Sequence, residues 1–386
     1  MTIDRRSIAV AAAGFCSFLD LYPTQSLLPA LKAEFGVGEA AAAATVSATT
    51  LAVALVAPLI GHLADRWGRK RVIVAGAVLM AVPTALAASS TDIIQLILWR
   101  FAQGLLLPAV FSVTTAHITE EWPIAETPRM IGLHMSGMVV GGFCGRYIAA
   151  LVLAAVGWRS AFPVLALLNL AGAAAIHLWM PKDHASPAGH EAARPAAGGS
   201  LRRHLGNPRL LATCAIGFCL LFCMVAIFTY VNFRLAAAPY DFGPAALGNI
   251  FAIFLLGVPA ATLGPRLLLL ASRRVVVAAV MALCISGLLL SLSDSLPLIL
   301  AGLCLFTFGQ LAAQPLALGY IGQVATGAKA MAVGLYVSCY YIGGSAGAVV
   351  PAIPWSVFGW PGCVALVITV ELTVATLALS QWRTKA

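Results

Sequence analysis

One stretch of this sequence decides its fold: Gly61-His62-Leu63-Ala64-Asp65-Arg66-Trp67-Gly68-Arg69-Lys70-Arg71. It lies between two long apolar runs, residues 41–60 and 72–88. Each run is near the length of about 20 residues that an α-helix needs to cross a bilayer. Four cations and one carboxylate are therefore placed between two predicted membrane spans. A basic loop orients a membrane protein, but orientation alone does not explain Asp65 or the glycines.

The composition also indicates an integral membrane protein. Of the 386 residues, 61% are hydrophobic and only 10% are charged. A soluble domain has about 25% charged residues, so the composition excludes this class. The formal net charge of +9 is attributed to cytoplasmic loops, and we expect no nucleic-acid partner. The nine cysteines lie in apolar stretches, so we expect buried thiols and no disulfides.

The apolar runs predict an all-α membrane protein with twelve spans, because helices satisfy every backbone polar group within lipid. Segments 1 to 6 are predicted at about 7–31, 41–61, 72–88, 93–117, 130–156 and 160–180. Segments 7 to 12 are predicted at about 209–235, 244–265, 274–292, 296–320, 328–354 and 360–381. Residues 181–208 lack an apolar period and contain Pro, Gly, Ala and Ser, which is typical of a linker. We therefore expect two six-helix halves, 1–180 and 209–386, joined by a cytoplasmic linker at 181–208.

The positive charges predict the orientation of the chain. With both termini in the cytoplasm, 18 of the 23 Lys and Arg residues fall in inner segments. Lys32, Arg159 and Arg234 fall at outer ends, and Arg100 and Arg146 lie within spans. Inner loops of membrane proteins carry an excess of Lys and Arg, so this distribution favours cytoplasmic termini.

An internal repeat supports the division into two halves. Gly132-Leu133 recurs as Gly334-Leu335, Gly141-Gly142 as Gly343-Gly344, and Gly157-Trp158 as Gly359-Trp360. All of these matches share one offset of 202 residues. Segment 5 therefore corresponds to segment 11 with the same direction across the membrane. This pattern indicates a parallel repeat of six helices, with the two halves related by a pseudo-two-fold axis.

Three motifs resemble those of the major facilitator superfamily. The pattern G-x-L-x-D-R-x-G-R-K-R at 61–71 resembles the signature between the second and third spans of that family. Arg100 and Gly104 on segment 4 resemble its second motif. Residues 22–29, Tyr-Pro-Thr-Gln-Ser-Leu-Leu-Pro, resemble the bacterial drug and sugar efflux branch of proton antiporters. The resemblance implies a twelve-helix transporter that works by alternating access.

The resemblance also implies a gating role for the basic stretch. In the family, the aspartate of this motif contacts the second half and holds the cytoplasmic side shut. The matching gating residues here are Gly61, Asp65, Arg66, Gly68, Arg69 and Lys70. We expect Asp65 at a helix N-terminus, where the helix dipole favours a carboxylate. Arg69 is expected to pair with Asp65 or with Glu120 and Glu121.

The glycines of segment 5 resemble the antiporter motif of drug/proton exchangers. They are Gly137, Gly141, Gly142 and Gly145, but the proline that this motif normally contains is missing. The alternative is close packing of helices through small residues, which is common in membranes. We interpret these glycines as a surface on which the halves slide.

Asp20, Arg100 and Arg146 are charges within predicted spans at a common depth. A charge in a span costs about 2.5–3.5 kcal/mol on insertion scales, so such residues are functional candidates. We hypothesise that Asp20 and Arg100 couple transport to protons, since burial favours a neutral carboxyl group and a nearby cation favours the carboxylate. The alternatives are a static Asp20–Arg100 ion pair and an Arg100 that caps carbonyl groups. Glu371, in segment 12, is interpreted as structural.

By analogy with the family, segments 1, 4, 7 and 10 line the substrate cavity. Their polar and aromatic residues, with those of segments 5 and 11, are the candidates for substrate contact: Tyr22, Gln25, Gln103, Arg146, Tyr230, Asn232, Gln310, Gln314 and Tyr340.

The preferred function is proton-coupled efflux of a small amphipathic solute across a bacterial inner membrane. Organic-anion uptake or exchange is an alternative, favoured by Arg100 and Arg146. A non-transporting membrane receptor or scaffold is an alternative from another class. No nucleophile–base pair, phosphate loop or metal-ligand spacing is present in the sequence, so we expect neither an enzyme nor a cofactor or metal. The expected partners are the solute, protons and lipid, and we expect a monomer.

Overall fold

The computed structural model describes residues 4–183, 203–269, 271–325 and 329–382, and the regular elements of this part are helices. Residues 184–202 of the predicted linker lie outside it. Two 3-10 helices span Pro23–Leu27 and Phe251–Leu256. The α-helices are α1 (Arg5–Leu19), α2 (Leu28–Phe35), α3 (Glu39–Val56), α4 (Ile60–Trp67), α5 (Arg69–Ala87), α6 (Ile93–Glu121), α7 (Thr127–Val156), α8 (Trp158–Trp179), α9 (Pro208–Ala236), α10 (Pro244–Ile250), α11 (Gly257–Leu267), α12 (Arg273–Leu290), α13 (Leu296–Val324), α14 (Lys329–Val349) and α15 (Ala352–Gln381).

The helices account for the twelve predicted spans. In the described part, ten are long and apolar enough to cross a membrane: α3, α5 to α9 and α12 to α15. An eleventh span consists of α1 and the helices from Pro23 to Phe35, bent by 44°. The remaining predicted span, segment 8, corresponds to α10, the following 3-10 helix and α11. The predicted all-α, twelve-span membrane fold is confirmed.

Segments 1 and 8 were each predicted as one continuous helix, and both are broken. Pro23 follows the end of α1 and has no N–H to donate to the carbonyl group of Leu19. Pro259 likewise cannot donate to the carbonyl group of Leu255, which lies in the 3-10 helix. A proline removes one helical hydrogen bond, and at these two places the chain bends or tightens instead of continuing as an α-helix.

The stretch 61–71 is helical over most of its length and not a loop. Residues up to Trp67 form the short helix α4, and α5 begins at Arg69. Gly68 joins them with φ +87°, a conformation that L side chains rarely adopt. A Cβ atom at Gly68 would also lie 2.7 Å from a carboxylate oxygen of Asp183. Two features therefore require glycine at position 68: the positive φ angle and the close approach of Asp183.

The described residues divide into two compact units. The first contains residues 4–183, 235–237 and 241–252. The second contains 203–234, 238–240, 253–269, 271–325 and 329–382. Helix α10, which follows segment 7 in the chain, thus packs in the first unit, where Gly248 faces Ala150 on α7.

The glycines of α7 pack against α1 within the first unit. A Cβ atom on Gly137, Gly141 or Gly145 would overlap the carbonyl oxygen of Ala11, Phe15 or Leu19, respectively. The interpretation of this row as a sliding surface between halves is therefore wrong for these three glycines, and close helix packing is what they provide. The second unit repeats the arrangement, with Gly343 and Gly347 of α14 against Phe218 and Phe222 of α9.

Candidate functional site

Arg100 on α6 is buried and binds the main chain where α1 ends. Its Nη1 donates to the carbonyl oxygen of Asp20 at 2.8 Å, and its Nη2 donates to that of Leu21 at 2.8 Å. Nη1 also donates to Oε1 of Gln103, and Nε donates to the carbonyl oxygen of Thr45 at 3.4 Å. The last carbonyl groups of a helix lack partners within it. Arg100 donates hydrogen bonds to carbonyl groups of this kind. It therefore has the capping role that was one of the alternatives from the sequence.

The carboxyl group of Asp20 is buried, and its hydrogen-bond donors are neutral side chains, although the cation of Arg100 is near. Its Oδ2 accepts hydrogen bonds from Oγ1 of Thr84 on α5, at 3.1 Å, and from Nδ2 of Asn169 on α8. Oδ1 of Asp20 and Oδ1 of Asn169 have no hydrogen-bond partner among the described residues. The alternative of a static Asp20–Arg100 ion pair is not found, because the guanidinium group donates to the main-chain oxygen of Asp20 and not to its carboxyl group.

A chain of hydrogen bonds connects Arg100 to the Asp20 carboxyl group. Arg100 donates to Oε1 of Gln103, and Nε2 of Gln103 donates to Oγ1 of Thr84 at 2.7 Å. Oγ1 of Thr84 lies 3.1 Å from Oδ2 of Asp20 and 2.7 Å from the carbonyl oxygen of Met80. A hydroxyl group has one proton to donate, so Thr84 can serve either acceptor. The site can therefore accommodate both a charged and a neutral Asp20.

Arg146 on α7 lies in a second cluster, lined by an amide and aromatic rings. Its Nε donates to Oε1 of Gln25 at 2.8 Å, and its Nη1 donates to the carbonyl oxygen of Gly142 at 2.6 Å. The guanidinium carbon lies 4.5 Å from the ring centre of Tyr22 and 5.0 Å from that of Phe251. These four groups are neutral. The structure thus brings together three predicted cavity residues and adds Phe251.

Three predicted cavity residues of the second unit hydrogen-bond to a neighbouring helix or, for Asn232, to the preceding turn of its own helix. Tyr230 donates from its hydroxyl group to the carbonyl oxygen of Ala348 at 3.2 Å, and Nδ2 of Asn232 donates to that of Phe228 at 2.5 Å. Nε2 of Gln310 donates to Oε1 of Glu371.

The other two candidates of the second unit are half-buried, Gln314 on α13 and Tyr340 on α14. The ring of Tyr340 contacts those of Tyr336 and Tyr341, whose centres lie 6.0 and 5.5 Å away. Substrate contact by any of the second-unit candidates stays a prediction.

The predicted pairing of Arg69 is found at the end of α6. Its Nη2 lies 2.5 Å from Oε1 of Glu120 and 3.5 Å from Oδ1 of Asp65. Asp65 itself belongs to the last turn of α4 and not to a helix N-terminus. The carboxylate at the N-terminus of α5 is that of Asp183, which accepts from the main-chain N of Lys70 at 3.0 Å. Gly61 and Arg66 are exposed on α4.

Three residues near the C-terminal end of α6 place potential metal-ligand atoms within 4.8 Å of one another: His117, Glu121 and Asp183. The sequence spacing does not show this group, because Asp183 comes from a distant part of the chain. Nδ1 of His117 lies 3.3 Å from Oδ1 of Asp183, the oxygen that also accepts from the main chain of Lys70. Asp183 thus acts as the cap of α5, and we assign no metal ion to the group.

We expect Asp65→Asn to reduce the initial rate of transport while the protein stays folded. Asp65 is about half exposed, and Glu120 is the closer partner of Arg69. An exposed ion pair contributes about 0–1 kcal/mol, so thermal unfolding should hardly change. The matched control is Glu34→Gln, which removes the exposed pair with Arg159 (2.6 Å) elsewhere. A wild-type transport rate in Asp65→Asn would show that the basic stretch only orients the protein.

Several residues of these sites do not emerge from the sequence pattern. Thr84 and Asn169 are single polar residues on apolar helices, and Phe251 is one apolar residue among many. Asn169 could have been found, because the repeat offset of 202 residues aligns it with Glu371. The sequence pattern does not identify Asp183 as a site residue, because a single acid at the edge of a linker is usually a solvated surface charge.

Comparison with known proteins assigns the family. The family model described as Major Facilitator Superfamily matches residues 10–348. The chain is 29% identical to the uncharacterized MFS-type transporter YybF of Bacillus subtilis, over 96% of this chain and 91% of YybF. It is 30% identical to the inner membrane transport protein YnfM of Escherichia coli, over 96% of this chain and 90% of YnfM. A shorter match, 44% of this chain and 38% of the relative, is 32% identical to the 4-hydroxybenzoate transporter PcaK of Pseudomonas putida.

Solved structures show the same fold. The nucleoside transporter NupG superposes with a TM-score of 0.77 at 13% identity, covering 98% of this chain and 100% of NupG. A bacterial homologue of the human lysosomal transporter Spinster gives 0.75 at 14% identity, covering 99% and 96% of the two chains. The receptor or scaffold alternative is not supported, because the family and its relatives are transporters. The chain belongs to the major facilitator superfamily and is a multi-pass membrane transporter, not an enzyme.

Proposed function

We propose that the protein is a proton-coupled transporter of a small organic anion, with an aromatic carboxylate as the preferred class. The observation that carries the proposal is the guanidinium group of Arg146, which lies over the rings of Tyr22 and Phe251 and donates to the amide oxygen of Gln25. We place the transporter in a bacterial inner membrane, as a monomer with cytoplasmic termini. The 18 Lys and Arg residues in inner segments support this orientation.

The chemistry of the Arg146 cluster fits a carboxylate attached to a ring. The Oε1 atom of Gln25 accepts from Nε of Arg146 in the structure, and a substrate carboxylate can replace this neutral acceptor. Charge-assisted hydrogen bonds are roughly twice as strong as neutral ones, so the exchange favours an anion. The rings of Tyr22 and Phe251 offer faces and edges against which an aromatic substrate packs.

The relatives support the same class. PcaK, which resembles part of this chain at 32% identity, is a 4-hydroxybenzoate transporter. Its substrate combines one carboxylate with one aromatic ring. The residues around Arg146 supply a partner for each of these two groups.

Proton coupling is assigned to Asp20, whose carboxyl group is buried with 0% exposure. Removing a carboxylate from water favours its neutral form. Thr84 and Asn169 hold the group, and the Thr84 hydroxyl can turn to Met80 when Asp20 takes up a proton. A proton at Asp20 therefore needs no rearrangement of the helices around it.

A thermal-shift panel on the purified protein tests the substrate class. A ligand stabilises the folded state by about 2.7 kcal/mol when its concentration is 100 times Kd. We expect 4-hydroxybenzoate to raise the unfolding temperature and its uncharged amide to have no effect. Arg146→Gln should abolish the shift. Arg159→Gln should retain it, although Arg159 also lies over an aromatic ring, that of Trp158 at 4.4 Å.

Efflux of an amphipathic compound is the second candidate, and the apolar rings near Arg146 are compatible with it. This candidate predicts a different result in the same panel. Lipophilic cations or neutral amphipathic compounds would raise the unfolding temperature, and the aromatic carboxylates would not. That outcome would contradict the organic-anion proposal and leave the proton role of Asp20 to be tested separately.

A further inference from the structure

The internal repeat places Asn169 and Glu371 at equivalent positions. The two residues are separated by the same 202-residue offset as Gly157-Trp158 and Gly359-Trp360, which precede them on α8 and in α15. Asn169 binds the buried carboxyl group of the first unit. Glu371 is itself a buried carboxyl group in the second unit, with 0% exposure.

The residue equivalent to Asp20 is Cys223. Gly145 lies against the carbonyl oxygen of Leu19, and Gly347 lies against that of Phe222. The next residues along α1 and α9 are Asp20 and Cys223. The thiol of Cys223 is close to the Glu371 carboxyl group, although its hydrogen bond goes to the carbonyl oxygen of Val367 at 4.0 Å. Each unit therefore places a carboxyl group and a polar partner at the same two positions. The acid is at the first position in the first unit (Asp20) and at the second position in the second unit (Glu371).

The second unit has an amide equivalent to that of Gln103, but it has no cation equivalent to Arg100. Gln103 on α6 and Gln310 on α13 each precede a proline, Pro108 or Pro315, by five residues. In this alignment Thr307 occupies the place of Arg100.

The groups around Glu371 are therefore uncharged or acidic. Among the residues that the structure describes, the titratable groups close to it are the thiols of Cys219 and Cys223 on α9 and of Cys284 on α12. The nearest group on α13 is the carboxamide of Gln310. None of these is a cation, so a carboxylate here would be a buried charge without an opposite charge.

Glu371 and Gln310 share one hydrogen bond, and a second one between them would require one more proton. Nε2 of Gln310 donates to Oε1 of Glu371, while Oε2 of Glu371 and Oε1 of Gln310 have no hydrogen-bond partner among the described residues. A protonated carboxyl group has one O–H to donate and a carboxamide oxygen can accept it. A single proton on Glu371 can thus satisfy both atoms and complete a two-bond acid–amide pair. Buried polar atoms normally have such partners.

We propose that Glu371 and Gln310 form a second proton-binding site, in which Glu371 is the neutral acid at neutral pH and donates its proton to Gln310. The proton links α13 to α15. Its loss leaves a buried carboxylate and two oxygen atoms without donors, which weakens the contact between these helices. The site is independent of the proposed substrate and of proton coupling at Asp20.

Infrared difference spectroscopy tests the proposal directly. A protonated carboxyl group has a C=O stretching band that a carboxylate and a carboxamide lack. We expect this band in the wild-type protein at pH 7 and a weaker band in Glu371→Gln. In Asp20→Asn, Glu371 is the remaining buried carboxyl group in the described part of the chain. The band should persist in that variant and disappear in the double variant.

Thermal unfolding supplies a second readout. A site that binds a proton in the folded state stabilises the protein at low pH, and this contribution is lost as the pH rises. The unfolding temperature of the wild type should therefore fall with rising pH more than that of Glu371→Gln. Glu126→Gln, at an exposed acid, should behave like the wild type. The proposal is overturned if Asp20→Asn shows no protonated-acid band at pH 7, or if the band is unchanged by Glu371→Gln.

Discussion

Arg100→Met is expected to lower the free energy of unfolding of the protein by about 2–6 kcal/mol. The guanidinium group donates to the carbonyl oxygens of Asp20 and Leu21 at 2.8 Å each, where α1 ends within the first unit. Methionine retains most of the length of the side chain but has no donor. Each buried acceptor left without a partner costs about 1–3 kcal/mol, and the estimate counts the two carbonyl groups at the end of α1. Unfolding by denaturant in detergent measures the change.

The matched control is Arg159→Met. Arg159 also bonds a main-chain carbonyl, that of Ser90 at 3.3 Å, and a carboxylate, but it is nearly half exposed. Water replaces the lost donor there, so the effect should stay within about 1 kcal/mol. Arg100→Lys should fall between the two, because an ammonium group donates but lacks the planar fork of arginine. A wild-type unfolding curve for Arg100→Met would contradict the capping role.

The fold could be predicted because its determinants are local or repeated in the sequence. Apolar length predicts the spans, and the 202-residue offset predicts the glycine packing that recurs within each unit. The breaks at Pro23 and Pro259 were missed although prolines are visible in the sequence. Prolines within α5, α6 and α13 do not end those helices, so sequence alone does not distinguish a proline that breaks a span from one that is tolerated.

The sequence predicted which residue types belong to the sites, but it did not predict which groups they bind. Asp20 and Arg100 were singled out because charges within a span are rare, and the structure brings both to the end of α1. The partners of Arg100 are main-chain carbonyl groups, which every residue possesses, so no pattern identifies them. The same limit applies to Glu371, because a sequence does not show that a carboxamide on another helix binds its carboxyl group.

Asp20→Asn is expected to abolish gradient-driven transport and to preserve the fold and substrate exchange. Asparagine has the shape of the protonated acid. Its carbonyl oxygen can accept from Nδ2 of Asn169, and its amide can donate toward Oδ1 of Asn169, which has no hydrogen-bond partner in the described structure. Arg100 keeps its bond to the main chain of residue 20. The replacement therefore removes the titration while leaving every neighbour with a partner.

Two assays on the same proteoliposomes separate these effects. Exchange of labelled for unlabelled substrate at equal concentrations should continue in Asp20→Asn, because exchange needs no net proton movement. Accumulation driven by a pH gradient should fall to the level of protein-free liposomes. Asp294→Asn, at an exposed acid, should retain both activities. If Asp20→Asn accumulates substrate like the wild type, the proton is carried elsewhere, and Glu371 becomes the first residue to test. If the variant instead loses its fold, the carboxylate has a structural role that its hydrogen bonds to Thr84 and Asn169 would then explain.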